Sequence, residues 1–426
     1  MAAIFIWLLM ITGIVHMMSR DGGSPGGTDT ESELELPDGT LPEPTSGSTI
    51  RVLLMTTGYG SELHGEVRVS SDAGLRVSCQ GESIERNKAD TYQILPDDTR
   101  FQNGNIRIEP LEEGGEIRME SIERGCGTPS YAGVLELRAV SGGIVVINEL
   151  PVETYLCGVV PSEMPASYEL EALKAQAVCA RSYAFRQMTS YGYPEYEAHV
   201  NDSTDFQVYN NSQKQESSTR AVAETEGQVV RYKGEIATTY YYSTSCGKTT
   251  SLEAWGTDPG GGGEYLQSVE VCGDQGDYEK DLPWYRWTAQ VPVQTLSALV
   301  SANTGVQVGT LSSVEVTKRG PGDVALQIVA TGDAGSVTVD TENKIRSALG
   351  GSGYTITKND GSTSQSSALL PSAFFTIEKS GDTFVISGGG FGHGIGMSQN
   401  GANEMAKQGA DYRQILQTFY KDVEIG

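Results

Sequence analysis

Positive charge is scarce in this 426-residue chain: 30 lysines and arginines stand against 55 aspartates and glutamates, for a formal net charge of −25. A surface of that sign excludes general nucleic-acid binding, and an anionic ligand would need cations gathered locally in a groove. Histidine is scarce too, with only His16, His64, His199 and His393, all far apart. His199 has Asp202 and Asp205 near it but no cysteine and no second histidine at ligand spacing, so neither a metal nor a cofactor is expected. The six cysteines include no CxxC pair, which argues against a redox or zinc motif. No internal repeat and no heptad pattern occurs, so solenoids and coiled coils drop out.

No lysine or arginine precedes Arg20, and HMMSR is a poor cleavage site, so the apolar stretch 2–18 does not read as a cleaved secretory signal. It reads as a membrane anchor over residues 1–20, with the bulk of the chain extracytoplasmic and the protein single-pass in the cell membrane. Residues 21–48 hold seven acidic residues and no basic ones among Gly, Pro, Ser and Thr, the composition of a solvated, disordered linker. In that compartment the even cysteine count predicts disulfides, paired by proximity as Cys79–Cys126, Cys157–Cys179 and Cys246–Cys272. The competing reading is that several are small buried residues.

Residues 49–148 alternate apolar and polar in short runs such as TIRVLLMTTG and LELRAVSGGIVVIN, an antiparallel β pattern. Helical segments follow around 151–159 and 168–190, and 149–426 forms the remaining region, with a β-rich insert at about 285–380. Within it TLSSVEVTKRGPGDVALQIVATGDAGSVTVDT predicts three strands, TENKIRSALG a short helix capped by Gly350, 351–370 a polar loop, and FFTIEKSGDTFVISGGG a hairpin. The expected fold class is α+β: mixed antiparallel sheets with a central helical segment carrying the site, preceded by a single N-terminal transmembrane helix.

Three stretches carry candidate chemistry. In PVETYLCGVVPSEMPASYELEALKAQAVCARSYAFRQM (151–188), Pro161 and Pro165 stiffen a loop around Glu163, and Ser167 can cap the helix that follows. Lys174 and Arg181, seven apart, fall on one line of that helix. Glu163 then reads as a general acid/base beside a cationic groove, but spacing alone favours an exposed loop carboxylate, with Lys174 on a solvated helix face paired to Glu171. In GGGFGHGIGMSQNG (388–401), glycines permit close backbone approach around His393, Ser398 and Gln399. That stretch lacks a GKS/T ending and is no phosphate loop. In YYYSTSCGKTTSLEAWG (240–256), STSCG is not GxSxG, so Ser243 and Ser245 read as hydrogen-bonding groups and Tyr242 or Trp255 as a stacking surface.

In the same chain order, EMPASYELEALKAQAVCARSYA, STSCGKTTSLEAWG and GGGFGHGIGMSQNGANEMAKQG resemble the stage II sporulation protein D family, over roughly residues 130–426. The resemblance implies a membrane-anchored lytic transglycosylase that cuts peptidoglycan glycan strands stripped of stem peptides, during sporulation engulfment. It places the essential glutamate on Glu163 and the groove cations on Lys174 and Arg181. Tyr242, Ser243, Ser245, His393, Ser398 and Gln399 complete the expected substrate-binding set. Some members bind zinc through a histidine and two cysteines near the stretch matching Tyr196–Gln207; here that stretch has no cysteine, which again predicts no zinc. Cys246 stands where many relatives have glycine. The family name also covers amidase enhancers, so the alternatives are a non-catalytic wall-binding partner of an amidase and a structural protein of the spore envelope.

One carboxylate suits this chemistry. Hydrolytic glycosidases normally use two. A lytic transglycosylase needs no water, because the C6 hydroxyl of N-acetylmuramic acid attacks its own anomeric carbon while one acid protonates the leaving oxygen. That acid must carry a proton near neutral pH, which desolvation favours and close cations oppose.

Overall fold

The computed structural model describes residues 43–426. The α+β expectation stands, but the transmembrane part of it is corrected: among the described residues no helix is long and apolar enough to cross a membrane. Residues 1–20 and most of the expected linker lie outside the described residues.

The described chain divides into two units, each discontinuous in sequence: residues up to Ser167 with Ala180–Gln228, and Tyr168–Cys179 with Val229–Gly426. In the first unit a seven-stranded sheet runs in the order Val200–Asn201, Thr49–Leu54, Gly143–Pro151, Val134–Val140, Ile106–Pro110, Leu75–Cys79, Glu82–Arg86. Its pairings are antiparallel except at the edge, where Val52 and Leu53 face Val200 and Asn201 in parallel. Ile50, Val52, Ile106, Ile108, Leu135 and Leu137 are fully buried, each worth about 1.5–3 kcal/mol of transfer free energy. A second, four-stranded sheet holds Val67–Ser70 and Ile117–Met119 at its centre.

Helix α1 (Val152–Glu163) leaves the sheet directly from Pro151, and helix α2 (Leu170–Gln187) follows six residues on. Here the structure differs from the sequence reading: α1 continues through Pro161, and Glu163 is its last residue rather than part of a loop. A proline in the final turn forfeits a single intrahelical bond. Ser162 ties down the same turn, its hydroxyl donating to Gly158 O at 2.7 Å and accepting the Asn211 amide at 3.0 Å. Ser167 does not cap α2, which starts at Leu170; the Glu169 amide is met instead by the Asn403 side chain at 2.9 Å.

In the second unit a five-stranded antiparallel sheet is centred on Trp287–Pro292, flanked by the predicted hairpin Phe375–Ser380/Thr383–Gly388. The three predicted strands form their own sheet, at Leu311–Arg319, Ala325–Gly332 and Ser336–Asp340. The helix Glu342–Leu349 ends at Gly350 as expected. Residues 351–370 are not simply a loop: Thr355–Lys358 and Thr363–Gln365 pair as an outer hairpin, where polar residues suit an edge.

The expected disulfides are absent, and all six cysteines are free thiols. Several sulfurs have local partners instead: Cys79 with Arg100 O at 3.3 Å, Cys126 with Asn210 O at 3.4 Å, Cys157 with Glu153 O at 3.4 Å and Cys179 with the Tyr420 hydroxyl at 3.4 Å. Protein unfolded without reductant is therefore expected to titrate six thiols; fewer would reveal a bridge.

Candidate active site

Glu163 is placed by α1 at the end of a buried turn and is 8% exposed. Its Oε1 accepts the Val208 amide at 2.8 Å. The segment 207–212 is held tightly over the helix. A Cβ on Gly158 would come within 2.4 Å of Asn210 Oδ1, so only glycine fits under it. Tyr209 packs tilted against the Tyr155 ring, centroids 4.8 Å apart, and donates to Asn148 Oδ1 at 2.9 Å. The charge of Glu163 reaches the hydroxyls of Tyr59 and Tyr155, both shifted up chiefly by burial.

Asp202 also acts on both tyrosines, but it is spent on structure. It and Arg124 form an ion pair with both side chains fully buried. Asp202 Oδ1 takes the Met55 amide at 3.0 Å, while Arg124 binds the carbonyls of Met55 and Thr56 and lies 4.5 Å over the Tyr59 ring. The neighbouring His199 is equally committed. Its Nδ1 accepts the Arg51 amide at 3.0 Å, its ring stacks on Tyr191, and burial lowers its pKa to about 4. Among the described residues no group of three His, Cys, Asp or Glu could hold a metal ion.

Arg181, expected in a sugar groove, is fully buried. Its guanidinium forks onto Glu153, with Nε–Oε1 and Nη2–Oε2 both 2.7 Å, and donates to the carbonyls of Val222 and Gln228 at 3.2 Å. Its charge is thus matched within the first unit by Glu153. Lys174, in the second unit, pairs with Glu171 at 2.8 Å and lies 5.9 Å from the Tyr412 ring centroid.

The two later motifs do meet, within the second unit. Tyr241–Tyr242 pairs in parallel with Met397–Ser398, and Thr244 bridges Phe391. Gly396 makes this possible: its φ is +74°, and a Cβ there would lie 2.1 Å from Tyr240 O. His393 sits between the rings of Tyr242 and Trp255, at 5.4 and 5.1 Å. Its Nε2 faces Tyr241 O at 3.0 Å and its Nδ1 accepts the Ile395 amide at 3.1 Å. Those partners require the neutral Nε2–H tautomer, and burial agrees, lowering the pKa to about 3. Tyr242, Ser243, Ser245, Ser398 and Gln399 are all buried. Gln399 reaches Gln176 at 3.3 Å and Ser243 reaches Thr244 Oγ1 at 2.9 Å.

What the sequence reading missed is the acid these serines surround. Glu279, fully buried, accepts the Ser245 amide at 2.9 Å and the Ser398 hydroxyl at 2.8 Å, and it also bonds the Ser245 hydroxyl. It lies in DQGDYEKDLPW, an acidic turn with no motif to single it out. The one available signal was the polarity of two serine-bearing loops that needed a common partner.

The signature described as "Stage II sporulation protein" matches residues 140–232, and one described as a domain of unknown function matches residues 267–396. The chain is 33% identical over 343 residues to the stage II sporulation protein D of Bacillus subtilis (strain 168), covering 75% of this chain and 89% of that one. It is 32% identical over 294 residues to the stage II sporulation protein D of Bacillus amyloliquefaciens, covering 66% and 75%. An "Amidase enhancer" of Bacillus subtilis (strain 168) is 29% identical over 288 residues, covering 62% of this chain and 39% of that protein. With this identity and coverage, the chain belongs to the stage II sporulation protein D family.

Proposed function

We propose that this protein is a peptidoglycan lytic transglycosylase acting in sporulation, cutting glycan strands freed of stem peptides into products with 1,6-anhydro-muramyl ends. The family supports the sporulation and cell-wall setting. The observation that carries the enzymatic reading is Glu163 itself: a carboxyl 8% exposed at the end of α1, with its Oε1 on the Val208 amide.

In this reading Glu163 delivers its proton to the glycosidic oxygen, and the resulting carboxylate takes the proton from the attacking C6 hydroxyl. The bond from the anomeric carbon to the leaving oxygen breaks as the bond to O6 forms, so no water enters the products. Asp202 is held by Arg124 and is not offered as a second, water-activating carboxylate. Lys174 on α2 and His393 are proposed to contact sugar, with Tyr242, Ser243, Ser245, Ser398 and Gln399 shaping the loops around His393. Arg181 is proposed to act through Glu153, by fixing α1.

Full-length protein incubated with purified denuded strands should yield anhydro ends detectable by mass spectrometry. The relative named an amidase enhancer supports a second reading. It would be favoured if wild type left strands intact yet accelerated a cell-wall amidase on the same material.

A further inference from the structure

The second unit contains a fully buried carboxylate with no salt bridge among the described residues, and it is built into both downstream motifs. Oε1 of Glu279 receives the Ser245 amide at 2.9 Å and the Ser398 hydroxyl at 2.8 Å, while Oε2 bonds the Ser245 hydroxyl. Ser398 Oγ in turn accepts the amides of Ser245 and Gly401, each at 3.2 Å, the latter as N-cap of the helix Gln399–Lys407. Ser245 Oγ accepts the Gly247 amide at 3.2 Å. One carboxyl therefore joins the turn of STSCG to the start of the helix in GMSQNGANEMAK. The packing is close: a Cβ on Gly401 would come within 3.0 Å of Oε2.

We propose that Glu279 is a positioning residue: its carboxyl, which takes the amide and hydroxyl of Ser245 and the hydroxyl of Ser398, ties the Ser243–Gly247 loop to the Met397–Gly401 turn, and the strength of that tie follows the charge on the carboxyl. Under the reading given above, these loops surround the sugar-contacting His393, so glycan affinity should follow the same change.

Competing effects decide the direction. Three donors favour the carboxylate, yet burial without a countercharge outweighs them, and the pKa is pushed up to about 7. Glu404, on the helix Gln399–Lys407, adds like-charge repulsion. The other titratable groups whose charge is felt are Tyr168, Tyr242 and Cys246. All three are shifted upward, Tyr168 to about 12 and Cys246 to about 11, and stay neutral below pH 8. An opened loop would hydrate Glu279 and return it to the ordinary glutamate value of 4.5. The closed form thus binds the extra proton between about pH 4.5 and 7. Closure is strongest below that window and weakens as pH rises through it, then levels off.

Hydrogen exchange on the full chain, corrected for intrinsic rates and followed from pH 5 to 7.5, reads this directly. Wild-type peptides covering 241–248 and 396–402 should lose protection by about tenfold or more across the window, one pKa unit being worth a factor of ten. Glu279→Gln, which keeps the shape and an accepting oxygen, should hold constant within about twofold. Parallel titration with denuded glycan strands should show affinity falling with pH in wild type only. Protection that is flat in wild type, or that falls equally in Glu279→Gln, overturns the proposal. If that variant does not fold, Ser398→Ala serves. Removing one donor to the carboxylate should carry the loss of protection to higher pH, and an unmoved profile would count against Glu279. Loops that behave as expected in a protein that binds no glycan at any pH would leave the role of Glu279 standing and remove glycan binding from these loops.

Discussion

Replacing Glu163 by glutamine is expected to lower glycan-strand cleavage by about 10²–10⁴-fold while leaving the fold intact. The substitution removes the transferable proton and keeps the size of the side chain. The amide oxygen of glutamine can still accept the Val208 N–H that Glu163 Oε1 accepts at 2.8 Å. Glu163→Ala is a poorer probe, because it would strand that buried amide at a cost of about 1–3 kcal/mol. The two variants should therefore share the loss of activity and differ in stability, which denaturant unfolding can check. Products that persist at wild-type rates in Glu163→Gln would leave cleavage standing and remove Glu163 as its acid.

The second large effect is on stability. Arg181→Ala is expected to destabilise the protein by about 3 kcal/mol, the lower end for breaking a buried ion pair, since Glu153 retains 18% exposure. Arg181 makes a two-pronged bond to Glu153 and satisfies the carbonyls of Val222 and Gln228. Alanine would remove the cation facing a largely buried carboxylate, which keeps the Gly227 amide at 3.2 Å, and would take one donor from each of two carbonyls. Lysine cannot restore the fork, so Arg181→Lys should recover only part of the loss. Thermal or denaturant unfolding measures this directly. An Arg181→Ala protein with unchanged stability and a raised KM for strands would instead make Arg181 a sugar ligand, as the family resemblance first implied.

The difference between those two views of Arg181 shows what a linear sequence can carry. Helical spacing put Lys174 and Arg181 on one line, and α2 is indeed a helix from Leu170 to Gln187. Spacing says nothing of what packs on that line. Burial of Arg181 depends on Glu153, Val222 and Gln228, residues 28 to 47 positions away. Local signals fared well where the physics is local: the hairpin over 375–388 and the helix stopped by Gly350 both rest on neighbouring residues. They failed where tertiary contacts override propensity. Pro161 stays within α1 because Ser162 and the 207–212 segment support the final turn. Polar residues at 355–365 form strands because a sheet edge was available. Glu279 was invisible because an acidic residue in an acidic turn is ordinarily solvated, and only the converging donors of Ser245 and Ser398 reveal its burial.

The central claim is that strands are cut by an internal hydroxyl rather than by water. Cleavage of denuded glycan strands in heavy-oxygen water, followed by mass spectrometry of the new ends, tests it most directly. Wild type should generate 1,6-anhydro-muramyl ends that carry no solvent oxygen, and Glu163→Gln should generate almost none. New reducing ends bearing one heavy oxygen each would identify a hydrolase and contradict the account.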